Sequence, residues 1–454
     1  MIINIEQLPD IKIQIAESGQ PRKKGYFRFE IGKEIIFSTD DLNAYAFKNW
    51  ESIVYDAMVV TAAVECGDRF CKRPSDNWAR KINISIPVYN IEKWQSPLIH
   101  KSLIDILQFL TGDTWKIDFV KNCKTEATFV KKFLPLEVCT SHILAYSDGL
   151  DSYMVAGLLQ PALLDKLLRI RVSKGNSSKQ KDTFTRVPYH INFPKKTLES
   201  SARNRGFRFA MISSIAAYLT QAENIIIPES WQGSIGPALI TVGQAYPDYR
   251  NHPKFTRMME ELIYLLFSKK IKFIFPVLWQ TKSETLYNYI TNNPGSSWQT
   301  TKSCWKDPRW SSVKGKQRQC GICAACMLRR VSVFNAGLVE TCDTYICEDL
   351  NATDIKKSVN SNFVHINSNF IAYAIGGIMF MDNLAKLTRR EGEIEIIRQS
   401  YILAESLNIP VEEAQKKLYS AIKRHAAEWN NFLSSLNENS FIKKWIGYKN
   451  DELI

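Results

Sequence analysis

The sequence has no apolar run long enough to span a bilayer, which takes about 20 consecutive residues of helix. Its longest, FIAYAIGGIMFM from Phe370 to Met381, reads as a buried helix of a globular core, so no membrane partner is expected. The opening MIINIEQLPD lacks the basic-then-apolar layout of a secretion signal. A disulfide framework is missing as well. Six of the cysteines (Cys66, Cys71, Cys123, Cys139, Cys342, Cys347) are scattered singly, which suits a reducing compartment, and the cytoplasm is the expected location. Acidic residues are in the minority. Lys and Arg number 59 against 46 Asp and Glu, and the resulting +13 favours phosphate-bearing or acidic partners without choosing among them. A nucleic-acid binder with a zinc module would show paired CxxC knuckles or aromatics interleaved with basic residues. Trp305, Lys306, Arg309 and Trp310 are a thin version of that pattern, so a nucleic-acid-binding or scaffold role is an alternative that is not favoured. With 45% hydrophobic and 23% charged residues over 454 positions, the chain has room for two or three domains with their own cores.

What is present is concentrated. Cys320, Cys323 and Cys326 stand in CGICAAC, with Cys304 sixteen residues upstream. Two-residue gaps let three sulfurs converge from one turn running into a helix, and Cys304 returns as a fourth ligand, the tetrahedral set that structural zinc prefers. A ferredoxin-type cluster would place its next cysteine three residues on, followed by proline, whereas here Met327, Leu328 and Arg329 follow. Zinc is therefore favoured over an iron–sulfur cluster and over ordinary buried thiols.

A second segment is HILAYSDGLDSYMVAGLL, His142 to Leu159. Ile143, Leu144 and Ala145 make a short buried strand, Ser147 to Ser152 a polar turn, and the residues from Tyr153 onward a helix. A strand, a glycine-bearing turn and a helix together favour an anion, because backbone N–H groups and the positive end of the helix dipole meet there. The same residues also serve as a plain helix cap. The basic stretch between Arg169 and Arg208, including SKGNSSKQKD, reads as a solvated loop before it reads as a lid over an anion.

The run Ser147-Asp148-Gly149-Leu150-Asp151-Ser152 resembles the SGGxDS pyrophosphate loop of the adenylating N-type ATP pyrophosphatases. With a late C…CGxCxxCxxR segment, it resembles the 7-cyano-7-deazaguanine synthase (QueC) family in particular. Other residues fall in family order: Arg203-Asn204 resembles its RN pair, Tyr246-Pro247-Asp248-Tyr249-Arg250 with Phe255 its YPDCRpeF segment, and Lys282-Ser283-Glu284 its KaE. Ser303-Cys304-Trp305 stands where the family has SCY, and Arg329 closes the cysteine segment. The resemblance covers about Val138 to Gly337. It implies an α/β fold of PP-loop type, a parallel sheet with helices on both faces plus the four-cysteine zinc segment. It also implies ATP as substrate, Mg2+ as cofactor and structural Zn2+ on Cys304, Cys320, Cys323 and Cys326.

The implied chemistry is cleavage of ATP to AMP and pyrophosphate as a 7-deazaguanine carboxylate is activated to an acyl adenylate. Carboxylate oxygen leaves poorly and AMP leaves well, so the carbonyl opens to an amine while the loop, magnesium and cations stabilise the departing pyrophosphate. The resemblance makes Ser147, Asp148, Gly149, Leu150, Asp151, Ser152 and Asn204 candidates for ATP. Asp151, Ser152, Lys282 and Arg203 are the candidate catalytic set, with Asp151 serving magnesium and the two cations facing phosphate. Glu229, Tyr246, Asp248 and Arg250 are candidates for the guanine-like base, whose paired N–H donors suit a carboxylate. Two departures stand out. Asp148 replaces the first glycine of the loop, where it either binds magnesium or lowers ATP affinity. IIIPESWQGSIGPALITVGQAYPD replaces the family's compact VNxxDysG stretch.

The division expected along the chain is residues 1–135 as an added N-terminal α+β domain, 136–345 as the QueC-like domain and 346–454 as a C-terminal helical region. KGYFRFEIG, KEIIFST and KINISIPV read as strands and LNAYAFKNWESIVYDAMVVTAAVEC as helix. IEIIRQSYILAESL and EEAQKKLYSAIKRHAAEWNNFLSSL read as helices separated by Pro410. A small-molecule enzyme using ammonia does not need so much additional chain. Enlarged QueC-like proteins of bacterial antiphage cassettes, the QatC type of the Qat system above all, resemble it in this. For them the implied acceptor is the amino terminus of a protein from the same defence operon. Ammonia as acceptor, with the 7-cyano-7-deazaguanine (preQ0) nitrile as product, is the alternative.

Overall fold

The computed structural model describes residues 10–45, 51–73, 79–122, 139–173, 184–194, 199–242, 246–305 and 311–447. Most of the stretch SKGNSSKQKD and residues 306–310 lie outside them. The chain forms two compact units, each assembled from three stretches. The first takes Met1–Tyr146, Gln160–Ile227 and Asp248–Pro276; the second takes Ser147–Leu159, Pro228–Pro247 and Val277–Ile454.

Among the described residues the first unit carries ten strands: β1 (Asp10–Ala16), β2 (Phe27–Glu30), β3 (Ile35–Phe37), β4 (Lys81–Val88), β5 (Thr114–Lys121), β6 (His142–Ala145), β7 (Leu167–Ser173), β8 (Thr185–Ile191), β9 (Asn224–Ile226) and β10 (Lys272–Ile274). Four form a sheet in the order β2-β1-β4-β5, every pair parallel. Six form a second sheet in the order β10-β9-β6-β7-β8-β3, parallel except where β3 joins β8 antiparallel at the edge. The fold is α/β, with helices on both faces of the parallel sheet, as the sequence led us to expect. Parallel strands need crossovers that cover them, which is why KINISIPV is buried at nearly every position from Ile84 to Val88 instead of alternating. The N-terminal region also mixes strands and helices; its β1, β2, β4 and β5 pair in parallel, and β3 joins the second sheet antiparallel.

Helix Ser52–Phe70 is buried without interruption from Asp56 to Asp68, on all sides, because it packs against β4 and β1 and also against helix Arg205–Thr220. One hydrophobic core therefore runs from Ile13 and Ile84 through Val60 to Ile215 and Ile225. The charges inside it are paired. Arg80 and Asp113 are both fully buried and meet at 2.8 Å, and Asp68 accepts from Arg80 and Arg73, each at 3.0 Å.

The second unit is mainly helical. Its core gathers Cys320, Cys323 and Cys326 with Phe370, Ile378, Met381, Trp429 and Phe441. Helix Glu393–Leu407 and helix Val411–Ser434 break at Pro410, which caps the second. FIAYAIGGIMFM lies in helix Ser368–Lys386, but it is buried along one face only. Phe370, Ala374, Gly377, Ile378 and Met381 turn inward while Tyr373 and Ile375 stand exposed, since a single layer of neighbours covers a helix on one side. No helix among the described residues is long and apolar enough to cross a membrane.

Candidate functional site

In the second unit the polar turn Ser147–Gly149 leads into helix Leu150–Leu163, so Asp151 and Ser152 lie in the first helical turn. The turn is bonded to itself. Ser147 N–H donates to Ser152 Oγ at 3.2 Å, Gly149 N–H donates to Ser147 Oγ at 3.1 Å, and Ser152 Oγ reaches the Ser147 carbonyl at 3.1 Å. The two hydroxyls hold the Ser147 and Gly149 N–H groups, the kind of donor that an anion takes at a helix start. A β-carbon on Gly149 would come within 2.9 Å of Ser147 Oγ, so the turn needs glycine for close approach.

Lys282 completes this end. It opens helix Lys282–Asn292, is 3% exposed, and its Nζ stands 2.5 Å from Asp151 Oδ2. The helix start is fixed by a capping box in which Thr281 Oγ1 accepts from the Glu284 N–H and Glu284 accepts from the Thr281 N–H. Lys282 N–H donates to Gln232 Oε1 at 2.8 Å, which turns the Gln232 amide nitrogen toward His425 Nδ1 at 3.1 Å. Nδ1 must then accept, and Nε2–H donates to the Met381 carbonyl at 2.9 Å. His425 is thereby held as one neutral tautomer, and complete burial pushes its pKa down to about 4.

The cysteines form the other end. The four sulfurs lie within 4.8 Å of one another, with Cys320 Sγ and Cys326 Sγ 3.8 Å apart. Zinc–sulfur bonds of about 2.3 Å in a tetrahedron place sulfurs about 3.8 Å apart, so the set fits zinc. Two backbone N–H groups already point at sulfur: Cys320 N–H at Cys304 Sγ and Cys323 N–H at Cys320 Sγ, both 3.3 Å. Hydrogen bonds from the other three thiols hold Cys304 far below the usual thiol pKa, whereas burial pushes Cys326 well above it. Four thiols this close cannot all ionise without a cation, and a divalent metal supplies it. Gln319 Oε1 accepts from the Ser303 and Cys304 N–H groups, and buried Arg329 ties Thr301 to Glu340, bonding Thr301 Oγ1 at 2.7 Å and Glu340 Oε1 at 2.7 Å. The two ends meet in the Thr301–Cys304 segment, where Lys302 N–H donates to the Asp148 carbonyl at 2.7 Å.

The remaining candidates divide between the units. Glu229 and Tyr246 belong to the second unit, and the Glu229 carboxylate lies so close to Gly233 that a β-carbon there would meet Oε2 at 2.3 Å. Arg203, Asn204, Asp248 and Arg250 belong to the first. Arg203 donates to the Thr111 carbonyl at 2.9 Å, and burial together with nearby Arg73 lowers its pKa to about 10. The Asn204 N–H donates to Asp68 at 2.9 Å. Burial raises the Asp248 pKa, but Arg250, whose Nε lies 2.7 Å from Oδ2, outweighs it and holds the carboxyl below its usual range. Gln232, His425 and Lys302 were missed from sequence; a lone Gln, His or Lys without motif spacing carries no signal of its own.

Residues 202–337 match the family model described as Queuosine biosynthesis protein QueC. The match includes Lys282, the four cysteines and the candidates from Arg203 to Arg250, and it begins after the Ser147–Ser152 turn. None of the curated proteins matches the chain.

Proposed function

We propose, taking the QueC match over residues 202–337 as premise, that the protein uses ATP to activate 7-carboxy-7-deazaguanine as an acyl adenylate. It then transfers the acyl group to an amine, the amino terminus of a partner protein from a bacterial antiphage cassette. The observation that carries the reading is the buried contact of Lys282 with Asp151, which joins the KSE and SDGLDS segments in one unit. In this reading Ser147 to Ser152 receive the ATP phosphates, and Asp151 would hold magnesium. Lys282 offsets charge developing on the leaving pyrophosphate. Glu229 and Tyr246 face the base. Magnesium on Asp151 would supply positive charge toward the phosphates, and zinc on Cys304, Cys320, Cys323 and Cys326 would hold the fold.

The amide bond forms as the amine nitrogen attacks the adenylate carbonyl and AMP departs with the bonding electron pair; the amine gives up one proton. Incubation of the enzyme with ATP, Mg2+, 7-carboxy-7-deazaguanine and the partner should yield AMP and pyrophosphate, and add one acyl unit to the partner's mass. Nitrile formation from ammonia with the partner unchanged would return the protein to plain synthase chemistry. Absence of pyrophosphate under both conditions would sink the reading.

A further inference from the structure

We infer that the cleft bounded by helix Lys282–Asn292, helix Ala324–Asn335 and helix Val411–Ser434 binds a primary ammonium group through Glu428 and Ser283. The cleft encloses about 450 Å³, and all three helices belong to the second unit. Arg424, Glu284 and Asn335 on its wall are engaged with neighbours. Arg424 donates to Ser420 Oγ and the Trp279 carbonyl, and its Nε stands 2.9 Å from Glu284 Oε1, while Glu284 Oε2 belongs to the helix cap. Asn335 donates to the carbonyls of Val331 and Glu428 and accepts from Asn431.

Three buried atoms on the wall make no well-formed hydrogen bond: Arg424 Nε, which faces Glu284 as an ion pair, Glu428 Oε2 and Ser283 Oγ. Glu428 Oε1 accepts from Thr281 Oγ1, but Glu428 Oε2 is buried with no hydrogen-bond partner. Ser283 Oγ, on a residue only 4% exposed, makes no well-formed hydrogen bond and lies against the Glu428 carboxylate, where a weak bond to it lowers the carboxyl pKa. Burial nonetheless dominates and raises that carboxyl to about 7. Buried polar atoms without partners are rare and mark places where something is missing.

The chemistry selects the ligand. With Arg424 spent on Glu284, Glu428 is the charge the cleft has to offer, so an anion is disfavoured. A hard divalent metal wants six or more oxygens, and two are on hand. A compact ammonium supplies two N–H donors to Glu428 Oε2 and Ser283 Oγ, and its charge restores the ionised carboxylate that burial penalises. The ammonium comes either from a small free amine or from the end of a polypeptide, and both present the same three donors.

Binding is measured without nucleotide, so the outcome is independent of the adenylation reading. Calorimetric titration of the full chain with methylammonium, glycinamide and N-acetylglycinamide provides the test. Both ammonium compounds should bind and the acetylated control should not. Glu428→Gln should weaken binding about tenfold or more, the scale of one lost charge-assisted hydrogen bond, and Ser283→Ala should weaken it less. The melting temperature of Glu428→Gln should stay at or above the parent value, because a neutral amide replaces a group that burial already disfavours as an ion. Tighter binding of glycinamide than of methylammonium supports the site and assigns it to a chain end; equal binding supports it and assigns it to small amines. No heat from either ammonium compound, equal heat from the acetylated control, or unchanged affinity in Glu428→Gln overturns the proposal and leaves a cleft filled by water.

Discussion

Lys282 holds an ammonium out of water against one carboxylate, a costly arrangement unless the charge is needed elsewhere in the reaction. Lys282→Ala should lower pyrophosphate release roughly 10²–10³-fold, the scale of removing one preorganised charge from a phosphoryl or acyl transition state, and stopped-flow or coupled-assay rates check it. His425 makes a prediction about acid. Its folded pKa, near 4, lies below the 6.5 of an unfolded histidine, so the unfolded chain binds the extra proton between those values. The stability it contributes is complete above pH 6.5 and declines as pH falls toward 4, by up to about 3 kcal/mol at 1.36 kcal/mol per unit. Denaturant titrations of the parent and of His425→Gln across that window should diverge by this amount, since glutamine can accept from Gln232 and donate to Met381 without titrating.

Helix Ser368–Lys386 rests on the cysteine knuckle through a single glycine. A β-carbon on Gly377 would lie 2.2 Å from the Ile322 carbonyl oxygen and 2.7 Å from the Cys323 carbonyl carbon. Gly377→Ala should therefore destabilise the second unit by about 1–3 kcal/mol or more, read as a lowered unfolding midpoint together with weaker metal retention. Elements of this kind were only half visible in sequence. KINISIPV, HILA and the helices either side of Pro410 were legible because their patterns are local: β-branched runs, period-3.6 spacing and a proline break. The cysteine set was legible because metal geometry fixes its spacing. The pairing of β3 with β8, the tie from Asn204 to Asp68 and the use of Gln232 to orient His425 join residues far apart in sequence through ordinary side chains, and no local pattern marks them. The stretch Phe370–Met381 read simply as a buried helix because hydropathy averages over faces, whereas burial is decided face by face.

For the whole molecule, the four clustered cysteines belong to one core, whereas the other holds only the separate Cys66 and Cys71 among the described residues. Stripping the metal with a strong chelator should abolish one calorimetric transition and leave the other, with about one equivalent of zinc released per chain; loss of both transitions together would contradict two separate cores. The Thr301–Cys304 segment has a further consequence for a chain made on a ribosome. The Ser147–Ser152 turn is synthesised early, but Lys282 and Lys302, which contact it, emerge long afterward. A chain truncated before them thus lacks both contacts on the turn, and under the proposed function it should release no pyrophosphate.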